Sequence, residues 1–368
     1  MSWLLQNILT LAILLAAFII GCFMSRREYW RLAAKEVFSR KSALISACIL
    51  ALYLAVAVAD SVGWRNPAKD PVTGEILRAA GSGKVIYDNG QSLLDRILTP
   101  LRERQEFSYS APLADHLHAA ETVTTEDGAM QRVNPPLRHP GSHLLGTDRI
   151  GTDVLYLSLK SIRTGIIVGL LTTIIAIPFA LLMGIMAGFF GGIADDIIQY
   201  IYTVISSIPT VLFIAAFIVI FGTGLPQLCV AMGLASWTSL CRLLRAETLK
   251  LREAEFVSAA KALGVPAWRI IIRHILPNVL HVVIITTGLR FSTEVLAEAV
   301  LTYLGIGVDA QTMSWGTMIN DARSELTRDP VIWWKLFAAF IFMLGLVLPA
   351  NIFGDAVRDA LDPRLRTR

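Results

Sequence analysis

Apolar residues in this chain come in long blocks rather than in alternation or narrow helical stripes. A bilayer core needs roughly 20 apolar residues per helix. Seven stretches approach that length: Leu4–Met24, Ala43–Val62, Gly165–Phe190, Ile197–Phe221, Leu228–Leu244, Val279–Tyr303 and Trp333–Phe353. The fifth is short and carries Ser236, Thr238 and Ser239. The pattern predicts an all-α polytopic membrane protein. Between the second and third blocks, Gly63–Ile162 is broken by Pro/Gly-rich pieces such as Asn66–Gly74 and Asn134–Gly141. Within it, Leu93, Leu94, Ile97, Leu98 and Leu101 give Gln91–Arg104 a helical period.

Composition agrees: 368 residues are 54% hydrophobic and 17% charged, with a mean hydropathy of +0.58. A soluble domain of this length carries more charge. The net charge of +4 decides little, but its placement sets orientation. Ser25–Lys41 holds six Lys/Arg against two Glu, and Arg242–Arg273 holds seven against three. The positive-inside rule puts both loops in the cytoplasm. Arg358, Arg364, Arg366 and Arg368 put the C-terminus there too. Counting spans then places the N-terminus and Gly63–Ile162 outside. Leu4–Met24 has no basic n-region and no small-x-small cleavage site, so it reads as an uncleaved helix. Cys22, Cys48, Cys229 and Cys241 form no CxxC pair and read as packing residues.

Gly165-x-x-x-Gly169 and Gly184-x-x-x-Gly188-x-x-x-Gly192 allow helix backbones to approach closely in a bilayer. Pro178 and Pro209 inside spans predict kinks or protein-lined breaks. One polar stretch stands out, EFVSAAKALGVPAWRIIIRHILPN at 255–278. Helix formers fill Glu247–Leu263. Gly264 suits the left-handed position that closes a helix, with Val265 as its apolar contact. Pro266 suits the first turn of a second helix running through Trp268 and Ile272 to Pro277. Alone, such an element also fits a plain surface connector.

The residues give it more. Ala259-Ala260, Gly264 and His274-Ile-Leu-Pro277 resemble the EAA loop of ATP-binding-cassette importer permeases. Ser258 stands at that loop's Glu position, with Glu255 one turn earlier. His274 stands where Ile is usual, which matches the peptide-transporting branch. His143-Leu-Leu-Gly146-Thr147-Asp148-Arg-Ile-Gly151-Thr152-Asp153-Val154, with Arg163 and Gly169 downstream, is similar to the C-type dipeptide/oligopeptide permeases, except that Thr152 replaces a usual Arg. Leu301–Gly307 followed by Ser314-Trp315-Gly316, and Gly354–Arg364, resemble the same branch. The resemblance covers about 43–62 and 140–368; Leu4–Met24 and much of Gly63–Asn134 fall outside it.

The resemblance implies a type I ABC importer permease fold, with six core transmembrane helices plus one extra N-terminal helix. Its segments would be 1–42 (extra helix and basic link), 43–62 (first core helix), 63–162 (outer insertion), 163–356 (core, with coupling loop 247–277) and 357–368 (tail). It implies a non-catalytic subunit of the bacterial cytoplasmic membrane. The subunit would be paired with a B-type permease, two cytoplasmic ATPases and an external peptide-binding protein. ATP and Mg would be bound by the ATPases, with no cofactor, metal or nucleic acid in this chain. The coupling residues would be Glu255, Ser258, Ala259, Ala260, Gly264, Arg273 and Pro277. Importers of nickel or microcin-like peptides belong to the same family and stay open as alternatives.

Other chemistry is thin. Ala80-Gly-Ser-Gly83-Lys84 is followed by Val85, where a phosphate-binding loop needs Ser or Thr. His116/His118 and His139/His143 are either metal pairs or solvated loop histidines. Arg290, Glu294 and Glu298 recur at four-residue spacing on one helix face. Arg290 falls near mid-bilayer, where it needs protein or water around it, and pairing with Glu294 is expected. The cluster either locks the bundle or lines a translocation path. A proton-driven secondary transporter using Glu294 and Glu298 is the rival reading, and a membrane scaffold or receptor the third.

Overall fold

The computed structural model describes residues 28–65, 90–124 and 130–361, with Asn7, Pro67, Ile76, Val85 and Tyr87. The candidate span Leu4–Met24 (Asn7 apart), Cys22, the stretch 80–84 and everything after Leu361 lie outside the described residues. In chain order the helices are α1 (Glu28–Ser39), α2 (Lys41–Ser61), α3 (Leu93–Ile97), α4 (Thr99–Glu103), α5 (Val154–Phe190), α6 (Gly192–Ser207), α7 (Thr210–Phe221), α8 (Leu225–Arg252), α9 (Glu255–Ala262), α10 (Ala267–Ile270), α11 (Leu276–Tyr303), α12 (Trp315–Glu325) and α13 (Trp334–Leu361). A π-helical turn, Ile271–Ile275, joins α10 to α11.

Among the described residues α2, α5, α8, the run Ala267–Tyr303 and α13 are each long and apolar enough to cross a membrane. The candidate span Ile197–Phe221 is not one helix. It is α6 and α7, bent by 87° at Ile208–Pro209. Pro209 offers no N–H to continue the ladder, and it pushes Ile208 into extended backbone (φ −82°, ψ 127°). Pro178 stays inside α5.

The chain divides into two compact units. The first takes in 1–23, 51–164 and 313–343, so the segment after the fifth candidate core helix groups with the insertion. Two small antiparallel ribbons lie in it, β1 (Gly63–Trp64) with β2 (Gln91–Ser92) and β3 (Glu121–Thr124) with β4 (Met130–Val133). The periodic stretch 91–104 becomes two short helices. Ser92 opens α3 with a capping box, its hydroxyl accepting from the Asp95 N–H while the Asp95 carboxylate accepts from the Ser92 N–H. Ser314 opens α12 in the same way with Thr317.

The second unit takes in 24–50, 165–312 and 344–368. One of its cores gathers Ala180, Cys241, Leu244, Val257, Ile275 and Val279; another gathers Val168, Leu228, Met232 and Leu301. Small residues let α5 and α8 touch. A Cβ on Gly184 would sit 2.9 Å from the Cys241 carbonyl, and one on Gly188 2.7 Å from that of Arg245. Gly192, third in that series, has nothing within 4 Å and turns the chain instead. Cys229 and Cys241 are buried and unpaired.

Candidate coupling element and translocation cavity

The bent element begins where α8 ends. The single helix expected over Glu247–Leu263 is interrupted at Glu253–Ala254, with Ala254 in extended backbone (φ −68°, ψ 145°). The break turns α9 so that Val257 and Ala260 enter the core, and that burial outweighs the uninterrupted helix propensity. At the other end Gly264 takes φ +73°. The Gly264 N–H donates to the Lys261 carbonyl (3.0 Å) and the Val265 N–H to that of Ala260 (3.1 Å). This is the double bond of a Schellman stop. Nothing lies within 4 Å of a Cβ placed at Gly264, so only the backbone angle demands glycine.

Pro266 is the residue before α10 rather than inside its first turn, because its ψ of 144° is extended. The second helix does not stop at Pro277. It widens into the π turn and continues as α11, with Pro277 in the first turn. Pro277 has no N–H to return to the preceding turn, and the ladder loosens just before it.

Of the expected coupling residues, Glu255, Ser258, Ala259, Gly264, Arg273 and Pro277 are exposed, while Ala260 is buried. Sequence reasoning passed over the large apolar side chains exposed beside them: Phe256, Leu263 (83% exposed), Trp268 and Ile272. Large apolar residues on both sides of a glycine turn, in a charged loop, were the available signal.

Farther along, a cavity of about 390 Å³ opens between the α6–α7 elbow, α8 and α11. Its polar lining includes Ser206, Ser236, Ser239, Arg242, Arg290 and Glu294. Arg290 does not pair with Glu294. Its Nη2 donates to the Ser236 carbonyl (2.7 Å) and to Ser239 Oγ (2.8 Å). A helical carbonyl keeps a second lone pair after its ladder bond, and α8 brings that one within reach. Glu298 does not line the cavity. It is 2% exposed, and its Oε1 accepts from Thr302 Oγ1 at 2.8 Å. The structure thus brings Arg290 and Glu294 to one space and leaves Glu298 behind it. Ser236 and Ser239, visible as polar interruptions of the fifth candidate span, are the partners that spacing alone could not assign.

The histidines go elsewhere. His143 Nδ1 lies 3.0 Å from Asp153 and Nε2 3.5 Å from Glu106, all three buried. Asp153 also accepts from the Leu155 N–H at the start of α5. The Glu106 carboxylate accepts the N–H groups of Arg138 and His139. His118 stacks edge-on with Trp334 at 4.8 Å. Neither histidine pair forms a ligand set, and no metal-binding cluster exists among the described residues.

Charged networks pin the first unit. Asp60 binds Lys160 Nζ (2.7 Å) and Arg163 Nε (3.2 Å), and Lys160 also reaches Asp95 (2.9 Å). Burial alone would raise the Asp95 carboxyl. The Ser92 N–H, Lys160 and the Tyr156 hydroxyl outweigh it and hold the pKa at about 2. Lys335 bridges Asp321 (2.8 Å) and Glu325 (3.3 Å). Burial, opposed by Lys335, raises Glu325, while burial and Glu325 push the Tyr109 phenol up to about 12. Burial likewise raises Asp148, against the Thr152 and Ile150 N–H groups that its carboxylate accepts.

Residues 180–367 match the family described as "Binding-protein-dependent transport system inner membrane component". The chain is 34% identical over 224 residues to the oligopeptide transport system permease protein OppC of Bacillus subtilis, covering 61% of this chain and 72% of that one. It is 36% identical over 249 residues to the dipeptide permease DppC of Alkalihalophilus pseudofirmus, covering 67% and 81%. It is 31% identical over 226 residues to the glutathione permease GsiD of Pectobacterium atrosepticum, covering 61% and 74%. Among solved structures, an inward-facing MetNI methionine ABC transporter aligns at a TM-score of 0.47 and 16% identity, over 56% of this chain and 97% of that one. With its membrane-length helices and more than half its sequence matched, the chain belongs to the inner-membrane permease components of binding-protein-dependent ABC transport systems.

Proposed function

We propose that this permease imports di- or oligopeptides as one half of a translocation pathway, with a B-type permease as the other half. The permease relatives named for oligopeptide, dipeptide and glutathione transport support that substrate class. The chain itself is non-catalytic. Two cytoplasmic ATPases bind ATP and Mg, and an external binding protein delivers the peptide. The basic loops and the C-terminus face the cytoplasm, following the positive-inside rule.

The observation that carries the reading is the bent element at Glu255–Pro277. Its α9 end is exposed and presents Phe256, Leu263 and the small Ser258 and Ala259, and its bend is fixed by hydrogen bonds rather than left loose. An exposed apolar patch on a stiff segment is a docking surface. ATPase closure would push Glu255, Ser258 and Ala259, and the continuous run into α11 would pass that motion to Arg290 and Glu294 at the cavity. Arg290 and Glu294 then offer opposite charges to the two ends of a peptide.

The test is a pair of substitutions at Gly264. Leucine at φ +73° costs about 1–2 kcal/mol in backbone strain, whereas Asn tolerates the left-handed region. Gly264→Leu is expected to uncouple ATP hydrolysis from peptide uptake in proteoliposomes, and Gly264→Asn to keep most of the coupling. Normal coupled uptake in Gly264→Leu contradicts the proposal.

A further inference from the structure

Next to the bent element, an apolar groove of about 410 Å³ lies between α5 and the α10–α11 run, within the second unit. Pro178, Leu182 and Met186 form one wall; Trp268, Ile272 and Leu276 form the other. From Pro178 to Met186 is eight helical rises, about 12 Å. That is close to the roughly 15 Å half-thickness of a bilayer's hydrocarbon core. Both walls belong to helices long and apolar enough to cross a membrane. With Trp268 and Ile272 at the cytoplasmic end of the Ala267–Tyr303 run, the membrane reading sets the groove at the inner edge of the bilayer, facing lipid. At its loop end a second hollow of about 530 Å³ shares Trp268 and Ile272 and adds Arg269 and Arg273. Both arginines are exposed. Neither has an acidic partner among the described residues, and the Arg269 guanidinium lies 5.3 Å from the Trp268 ring.

Hydrocarbon, then an indole, then two guanidinium groups without an acidic partner among the described residues follows the order of an anionic phospholipid from acyl chain to phosphate. We propose that this groove holds one anionic phospholipid, an acyl chain lying between α5 and α11 and the phosphate on Arg269 and Arg273. Guanidinium groups bind phosphate through paired N–H donors. Indoles settle at the headgroup level, and basic pockets between spans select anionic headgroups. The lipid would sit beside the element that moves during coupling, so its occupancy would stiffen the hinge at the π turn. The proposal rests on the membrane reading of α5 and α11, not on the identity of the cargo.

Native mass spectrometry of the purified whole transporter reads this directly, with phosphatidylglycerol and phosphatidylcholine of identical chains added in turn. At equal concentration, at least fivefold higher retention of phosphatidylglycerol is expected. Arg269→Gln with Arg273→Gln should bring it down to the phosphatidylcholine level, and Leu182→Trp should lower both lipids by filling the groove. Equal retention of the two lipids by the unsubstituted protein overturns the proposal, as does an unchanged preference in the double-Gln variant or unchanged retention of both lipids in Leu182→Trp. Loss of the ATPase subunits from the double-Gln variant with lipid retention intact would give the arginines to that protein and also overturn it. Quenching by brominated phosphatidylglycerol, as the difference between the unsubstituted and Trp268→Phe proteins, repeats the test without the charge changes. It should exceed quenching by brominated phosphatidylcholine, and equality overturns the site. A complex that shows the lipid preference but imports no peptide would sink the proposed cargo and leave the lipid site standing.

Discussion

An unpaired arginine in mid-bilayer costs about 2.5–3.5 kcal/mol to insert, and Arg290 offsets this with one backbone oxygen and one hydroxyl from α8. Glu294 makes no direct salt bridge with Arg290 and lines the same cavity. Arg290→Gln is expected to lower peptide uptake about tenfold while membrane abundance falls less than twofold. A parallel fall of both would mark Arg290 as a bundle residue alone. Asp95 gives a second prediction at this scale. Its folded-state pKa of about 2 lies below the ordinary 3.8, so its charged form stabilises the fold above that ordinary value. That stability, about 2 kcal/mol, drains away as pH falls through the folded value. Thermal unfolding of the purified protein should lose stability between about pH 4 and about pH 2. In Asp95→Asn that share of the dependence should vanish; an unchanged profile argues against the Lys160 network.

Elements are held where side chains are missing. The carbonyls of Cys241 and Arg245 occupy the space that β-carbons on Gly184 and Gly188 would need. Gly188→Leu is expected to cost 1–3 kcal/mol through overpacking of α5 on α8, read as a lower Tm in detergent. Gly192→Asn, at an open turn position, should change Tm little. These same elements show how far the sequence could be read. The stop at Gly264 was visible because a Schellman closure is local, written in Gly264, Val265 and Pro266. The α6–α7 break was half visible: Pro209 marked the place, but an 87° bend depends on what the two arms pack against. The break at Glu253–Ala254 was not visible, since propensity continues across it and only the burial of Val257 and Ala260 explains it. The His143–Val154 stretch was recognisable as a motif while its physics was hidden. A Cβ on Gly146 would meet the Ser110 carbonyl at 2.4 Å, and one on Gly151 would meet that of Glu106 at 1.9 Å. His143 and Asp153 close the stretch onto the first turn of α5. The contacts at Gly146 and Gly151 join residues tens of positions apart, which periodicity cannot reach.

For the molecule as a whole, family membership fixes the task, and the proposal gives the mechanical role to the bent element. A proton-driven carrier would need no exposed apolar docking face, and Glu298 sits behind Thr302 rather than in the cavity. An ATP-driven subunit does need such a face, at a place a soluble ATPase can touch. Ser258 is exposed on that face, one turn from Glu255. The most direct measurement is disulfide cross-linking of Ser258→Cys to cysteines placed across the membrane-facing surface of the partner ATPase, in membranes with and without ATP. A cross-link whose yield changes on ATP binding and tracks peptide uptake is the expected result. No cross-link at any ATPase position, together with uptake that continues without ATP and collapses with the proton gradient, would contradict it.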